Sequence, residues 1–163
     1  MGLLDRFKNK EERPYELTAS IEGMSVNLSE VRDEVFSSGA LGKGVGIVPS
    51  NGKVVAPISG KVSMIFPTKH ALGIKTEAGV EVLIHIGVDT VELDGEGFDA
   101  KVAVDQKVKR GDLLVNVDFP LIEKHGFDTT VINVITNTND FKDVETLTGE
   151  VTANDVVLKI VKE

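Results

Sequence analysis

From Tyr15 onward the apolar residues fall in short runs rich in Val and Ile, and each run is bounded by Gly or Pro. In Val80 to Ile86 the alternation is complete: Val80, Val82, Ile84 and Ile86 share one face, Glu81, Leu83 and His85 the other. A period of two is what a strand with one buried face requires, so His85 is expected to point away from the core. A Gly turn leading into a β run recurs three times, as Ala19 to Gly23 before Val26, Ala56 to Gly60 before Val62, and Leu147 to Gly149 before Val151. Lys109-Arg110-Gly111-Asp112 before Leu113 to Val117, and Glu77-Ala78-Gly79 before Val80 to Ile86, are turns of similar use. Hairpin units that cannot bury a face singly predict an all-β sandwich or barrel closed from similar halves. Helix is expected only as single turns, near Ser29 to Val35, near Leu121 to His125 after Pro120, and near Asn139 to Asp143 with Asn139 as its N-cap.

Length and charge narrow the picture. A chain of 163 residues that is 41% hydrophobic has material for one well-buried core, hence one domain over 15–163. A formal charge of −8 repels phosphate backbones, and no Lys/Arg cluster offers a nucleic-acid footprint; a basic protein partner would instead be steered toward this surface. Cysteine is absent, which removes disulfides, thiolate metal sites and Cys nucleophiles and suits a reducing cytosol. No secretory signal or membrane-length apolar run is present, so a cytoplasmic location is expected. Residues 1–14 stand apart: Leu3, Leu4 and Phe7 share a helical face amid Arg6, Lys8 and Lys10, and Pro14 closes the segment. That pattern reads either as a flexible tail or as a short amphipathic helix resting on anionic lipid at the inner face of the membrane.

Among candidate chemical groups the three histidines stand out, because neutral imidazole is abundant near neutral pH and is a usable nucleophile. His70 follows Lys61 to Phe66 and the break at Pro67, at a strand end or loop, with the Thr68 hydroxyl two residues earlier able to orient its ring. Were the strands flanking them to pair, His70 and His85, 15 residues apart, would face one another; two unrelated surface histidines is the plainer alternative. His125, in Glu123-Lys124-His125-Gly126, reads as a solvated loop residue. No serine sits in a nucleophile elbow and no Walker-type loop occurs; Gly42-Lys43-Gly44 reads as a loop that lets backbone pass close to a partner.

Three stretches carry a resemblance: Val54-Val55-Ala56-Pro57-Ile58-Ser59-Gly60, Phe66-Pro67-Thr68-Lys69-His70-Ala71, and Val82-Leu83-Ile84-His85-Ile86-Gly87-Val88-Asp89-Thr90-Val91 running on into Glu92 to Phe98. On these the chain resembles, over roughly 15–163, the glucose-class enzyme IIA of the phosphoenolpyruvate-dependent sugar phosphotransferase system. The resemblance implies an antiparallel β-sandwich with few helices and a phosphoryl carrier. His85 matches the phosphorylated histidine, His70 its neighbour, and Thr68 the hydroxyl that hydrogen-bonds that neighbour. Val35, Phe36, Leu41, Phe66, Leu83 and Val91 match an apolar docking collar, and Asp33 and Asp89 acidic residues at its rim. Implied partners are the histidine-containing phosphocarrier protein as donor, a cysteine of a sugar transporter's IIB domain as acceptor, and, in the dephosphorylated form, regulated transporters or kinases. No cofactor is implied for phosphotransfer, although zinc shared between His70, His85 and a partner's carboxylate is a second use of the pair. Met1 to Lys10 resembles the membrane-touching tail of stand-alone enteric members. Ser20-Ile21-Glu22 and Arg32 depart from the family pattern, away from the histidines.

Three other readings compete, the plainest being a pure scaffold, which binding retained by His85→Ala without phosphorylation would support. A zinc hydrolase needs three protein ligands, and no His-x-His or suitably spaced third ligand accompanies the pair. A biotinyl or lipoyl carrier is suggested by Val104 to Asp112, but the modified Lys that such domains carry in a Met- or Asp-Ala-flanked hairpin is missing.

Overall fold

The computed structural model describes residues 13–162, so the proposed lipid-touching segment Met1 to Lys10 lies outside the described residues. Fourteen strands follow in chain order: β1 (Glu16–Thr18), β2 (Gly23–Asn27), β3 (Lys43–Pro49), β4 (Lys53–Val55), β5 (Gly60–Ile65), β6 (Ala71–Lys75), β7 (Glu81–Ile86), β8 (Phe98–Ala100), β9 (Lys107–Val108), β10 (Leu113–Val117), β11 (Val131–Ile135), β12 (Asp143–Thr146), β13 (Gly149–Val151) and β14 (Val156–Val161). They form an eight-stranded antiparallel sheet in the order β13-β2-β3-β11-β7-β6-β5-β9 and two three-stranded sheets, β1-β14-β12 and β4-β10-β8. One core joins all three: Val45, Ile47, Val82, Ile84, Ile86 and Val131 from the large sheet pack with Leu17, Val157 and Leu158 and with Val54, Leu114 and Phe98 from the small ones. The all-β sandwich expected from the Gly-turn repeats is therefore observed, and each of the five turns opens a strand: β2, β5, β13, β10 and β7.

Among the described residues no helix exceeds six residues. The segment expected near Ser29 to Val35 is split into a 3-10 turn at Leu28–Glu30 and a short helix at Glu34–Ser37, whose N-cap Asp33 accepts the Val35 amide. Helix Phe119–Lys124 starts one residue before Pro120 and is capped by the Asp118 carboxylate, in line with the tolerance of a helix's first turn for proline. The last is only a 3-10 turn, Thr138–Asp140, preceded by Asn137; Asn139 lies inside it and caps nothing. Gly42-Lys43-Gly44 is likewise not a partner-facing loop. Lys43 and Gly44 begin β3, and a Cβ on Gly44 would strike the Asn133 carbonyl of β11, so the glycine serves internal strand packing.

The β6–β7 hairpin sets the geometry that follows. Gly79, left-handed at φ 88°, closes a turn in which its amide meets the Thr76 carbonyl at 3.1 Å. With the turn so placed, Lys75 stands opposite Glu81 and Ala71 opposite His85. Between β9 and β10, Arg110 inserts its guanidinium among backbone carbonyls, donating to Pro57 O at 2.7 Å, Glu16 O at 2.8 Å and Arg13 O at 3.0 Å, and to the Thr18 hydroxyl at 3.1 Å. Its own turn is tied to the Ala56 segment by Gly111 N to Ala56 O and Ala56 N to Asp112 O, both 2.8 Å.

Candidate functional site

His85 lies in β7 on the face turned away from the main core, as the alternation required, and its opposite neighbours are Ala71 on β6 and Ile132 on β11. Beneath it Val31, Phe36, Val88, Ile132 and Val134 form a second, smaller apolar cluster with Leu83 packed on it. His70 ends the loop that enters β6. Lys69 is left-handed (φ 61°) and its amide meets Phe66 O at 2.7 Å, which folds the loop back so that Phe66 N reaches Ala71 O at 2.9 Å. The His70 carbonyl then accepts the Ile86 amide at 2.7 Å, continuing the β6–β7 ladder by one residue and placing His70 beside His85. The two rings stand edge to face, 4.9 Å between centroids and 85° between planes.

Each ring is held by its Nδ1. His85 Nδ1 lies 2.8 Å from the Gly87 carbonyl oxygen, which can only accept, so Nδ1 carries the proton and Nε2 keeps its lone pair. His70 Nδ1 lies 2.6 Å from Thr68 Oγ1, a group able to donate or accept. Among the described residues neither Nε2 has a hydrogen-bond partner. Burial lowers the pKa of His70 to about 4, helped by the nearby His85. Burial also lowers that of His85, against the Gly87 hydrogen bond and the negative charges of Asp33 and Asp89, which pull it up. Both rings are therefore neutral at pH 7, and His85 offers an unprotonated, outward nitrogen: a nucleophile with a second imidazole at its side.

Of the apolar residues expected to form a collar, Phe36 and Phe66 touch the pair and Leu83 packs on the small cluster beneath His85. Phe36 packs at 5.0 Å from the His85 ring and Phe66 edge-on at 5.3 Å from His70, while Val35, Leu41 and Val91 remain exposed, Val35 to 53%. Asp33 caps the short helix that carries Val35 and Phe36, and Asp89 sits four residues past His85 in a left-handed conformation (φ 61°). Met64, 41% exposed on β5, was not legible in the sequence. It stands opposite Gly73, which in turn stands opposite Leu83, so it extends the apolar surface by two strands. Its exposure follows from an irregularity between Val62 and Met64 that breaks the simple alternation. His125 is exposed at the end of helix Phe119–Lys124, 3.9 Å from Glu96, and takes no part in the pair. For a metal, the two imidazoles supply two nitrogen ligands; no group of three or more His, Cys, Asp or Glu is assembled among the described residues. Zinc's remaining ligands would have to come from a partner.

The family model for the phosphoenolpyruvate-dependent sugar phosphotransferase system, EIIA 1, matches residues 15–141. The chain belongs to this EIIA family. It is 46% identical over 155 residues to the PTS system glucose-specific EIICBA component of Streptococcus pneumoniae, an alignment covering 94% of this chain and 21% of that protein. To the PTS system beta-glucoside-specific EIIBCA component of Dickeya chrysanthemi it is 43% identical over 150 residues, covering 91% of this chain and 24% of that one. The solved structure of glucose permease IIA from Mycoplasma capricolum superimposes with a TM-score of 0.77 at 42% identity, over 88% of this chain and 93% of that one. The EIIA chain thus spans about a fifth to a quarter of the curated relatives it matches, in which the A component is joined to B and C components. As an EIIA it is a phosphotransferase component of a sugar transport system. No helix among the described residues is long and apolar enough to cross a membrane.

Proposed function

We propose that this EIIA accepts a phosphoryl group on Nε2 of His85 from the phosphohistidine of the histidine-containing phosphocarrier protein and passes it to a cysteine of a IIB domain, at the cytoplasmic side of a sugar transporter. The observation that carries this reading is the bond from His85 Nδ1 to the Gly87 carbonyl, which selects the one neutral tautomer able to attack through Nε2. The Nε2 lone pair forms the new P–N bond as the donor's P–N bond breaks, and that electron pair returns to the donor imidazole. No proton needs to leave His85, because its Nδ1–H remains on the carbonyl. With Thr68 donating to His70 Nδ1, His70 Nε2 carries a proton and donates it as a hydrogen bond to a phosphoryl oxygen. The collar of Val35, Phe36, Leu41, Phe66, Leu83 and Val91, extended by Met64, excludes water from the labile P–N bond and docks the apolar part of a partner. Asp33 and Asp89 meet its cationic side chains.

The test is phosphorylation by phosphoenolpyruvate, enzyme I and the histidine phosphocarrier, read by intact mass and acid lability. Wild type is expected to gain one acid-labile phosphoryl group and His85→Gln none. A phosphoryl group retained by His85→Gln, or none on wild type, would overturn the assignment.

A further inference from the structure

The tautomer of His85 depends on one carbonyl, and that carbonyl belongs to a turn fixed by groups that never touch the ring. Two successive peptide planes carry it. The first, between Ile86 and Gly87, is bonded at both ends: the Ile86 oxygen accepts the Thr90 hydroxyl at 2.5 Å, and the Gly87 amide donates to Thr130 O at 2.9 Å. The second, between Gly87 and Val88, gives its oxygen to His85 Nδ1 at 2.8 Å and its amide to Asp128 O at 3.0 Å. Gly87 is left-handed (φ 79°), and a Cβ there would collide with the Thr90 methyl, so the threonine also fills the space into which the turn could relax. Thr130 and Asp128 are themselves locked, the Asp128 carboxylate accepting the Thr130 amide at 2.9 Å and its hydroxyl at 2.7 Å. Thr90 is fully buried with its hydroxyl spent on a single backbone oxygen.

We propose that Thr90 is a positioning residue of phosphotransfer: by holding the Ile86 carbonyl it sets the Gly87 carbonyl against His85 Nδ1–H, and so keeps the attacking Nε2 unprotonated and aimed outward. The inference rests on His85 being the phosphoryl acceptor. Its physical basis is that the two neutral imidazole tautomers differ in which nitrogen carries the proton, and the one with the proton on Nε2 has no lone pair to attack with. Removing the hydroxyl leaves the Ile86 oxygen buried without this donor and loosens the first peptide plane at its carbonyl end, leaving only the amide bonds to Thr130 and Asp128 to hold the turn.

The experiment uses the whole chain in three forms, wild type, Thr90→Val and Thr90→Ser. Three quantities are read: the ¹⁵N shifts of His85, the rate of phosphorylation by phosphoramidate, and thermal unfolding. Phosphoramidate loses ammonia as His85 Nε2 takes the phosphoryl group, and it needs no protein docking surface. Thr90→Val keeps the shape and removes the donor; it is expected to show the second His85 tautomer and a rate lower by about fivefold. Thr90→Ser keeps the donor and is expected to retain one tautomer and a rate within about twofold of wild type, whatever it loses in melting temperature. A Thr90→Val chain with a single Nδ1–H tautomer and the wild-type rate, altered only in melting temperature, would make Thr90 purely structural and sink the proposal. Should Thr90→Val not fold, Thr90→Ala against Thr90→Ser asks the same question of the hydroxyl. The ¹⁵N readout does not depend on phosphotransfer. If wild type accepts no phosphoryl group while Thr90→Val shifts the tautomer, the acceptor reading fails and Thr90's role in phosphotransfer fails with it, although the hydroxyl's hold on the His85 tautomer stands.

Discussion

His70 and His85 are pinned by the same local device, a bond from Nδ1 to an oxygen two residues away, yet the two oxygens differ in kind. The carbonyl at Gly87 can only accept, which freezes the His85 tautomer; the hydroxyl at Thr68 can donate or accept, which leaves the His70 proton free to be placed on either nitrogen. Their surroundings differ in the same sense. His85 is half-buried and flanked by the charges of Asp33 and Asp89, whereas His70 is 2% exposed and walled by Phe66. A nucleophile profits from a fixed lone pair. In the proposed role, His70 would meet a charged phosphoryl in one state and none in the other, and a partner that can reverse its role suits that.

Three changes would break or sharpen that contrast. The largest effect is expected from His70→Gln, which on the proposed roles removes the assisting ring and leaves the nucleophile: the chain should still accept a phosphoryl group, with onward transfer to a IIB cysteine slowed by about 100-fold or more. Single-turnover transfer from the phosphorylated chain measures it, and an equal loss of acceptance would mean that the two rings do not divide the work as described. Next comes acid stability. The unfolded chain protonates His70 below its ordinary value of 6.5, while the folded chain resists until about 4. The unfolded state therefore binds more protons in that window, and stability present above pH 6.5 is lost as the pH falls toward 4, by on the order of 2–3 kcal/mol. Urea unfolding between pH 7 and 4 should show a shallower decline in His70→Gln than in wild type. The smallest effect is expected from Thr68→Val, which removes the reversible hydroxyl and should slow onward transfer by about fivefold while leaving the His85 tautomer unchanged. A shift in the His85 ¹⁵N signals on that substitution would show that the two rings are not independently held.

Much of this was legible in the residues. The alternation of Val80 to Ile86 placed His85 outward, and the Gly turns marked where strands begin, because both depend on local sterics and on one buried face. The strand Ala71–Lys75 was not foreseen. Its residues Ala71, Leu72, Gly73 and Ile74 are all buried, so it lacks the polar alternation of a half-exposed strand. The sequence therefore leaves the facing of the two histidines open, because the strand it marks ahead of His70 is Lys61 to Phe66. In the structure that stretch, β5, pairs with β6 and β9 and never reaches β7. Met64 and Thr90 stayed hidden for a different reason: one depends on a strand irregularity and the other on a hydroxyl's choice of carbonyl, and both are decided by tertiary contacts that hydropathy does not encode.

Arg110 and the β6–β7 turn also make unequal demands on an unfolded chain. The hairpin that joins His70 to His85 closes over the few residues between Lys75 and Glu81, a contact that a searching chain meets early and at little entropic cost. The guanidinium of Arg110 has to find carbonyls 94 and 97 residues away, at Glu16 and Arg13, and its bonds to them close a loop of well over half the domain. Contacts of that separation are the slow ones in folding. The two histidines thus lie in a segment whose pairing is local in sequence, while the first strand is fastened by contacts that are distant in sequence.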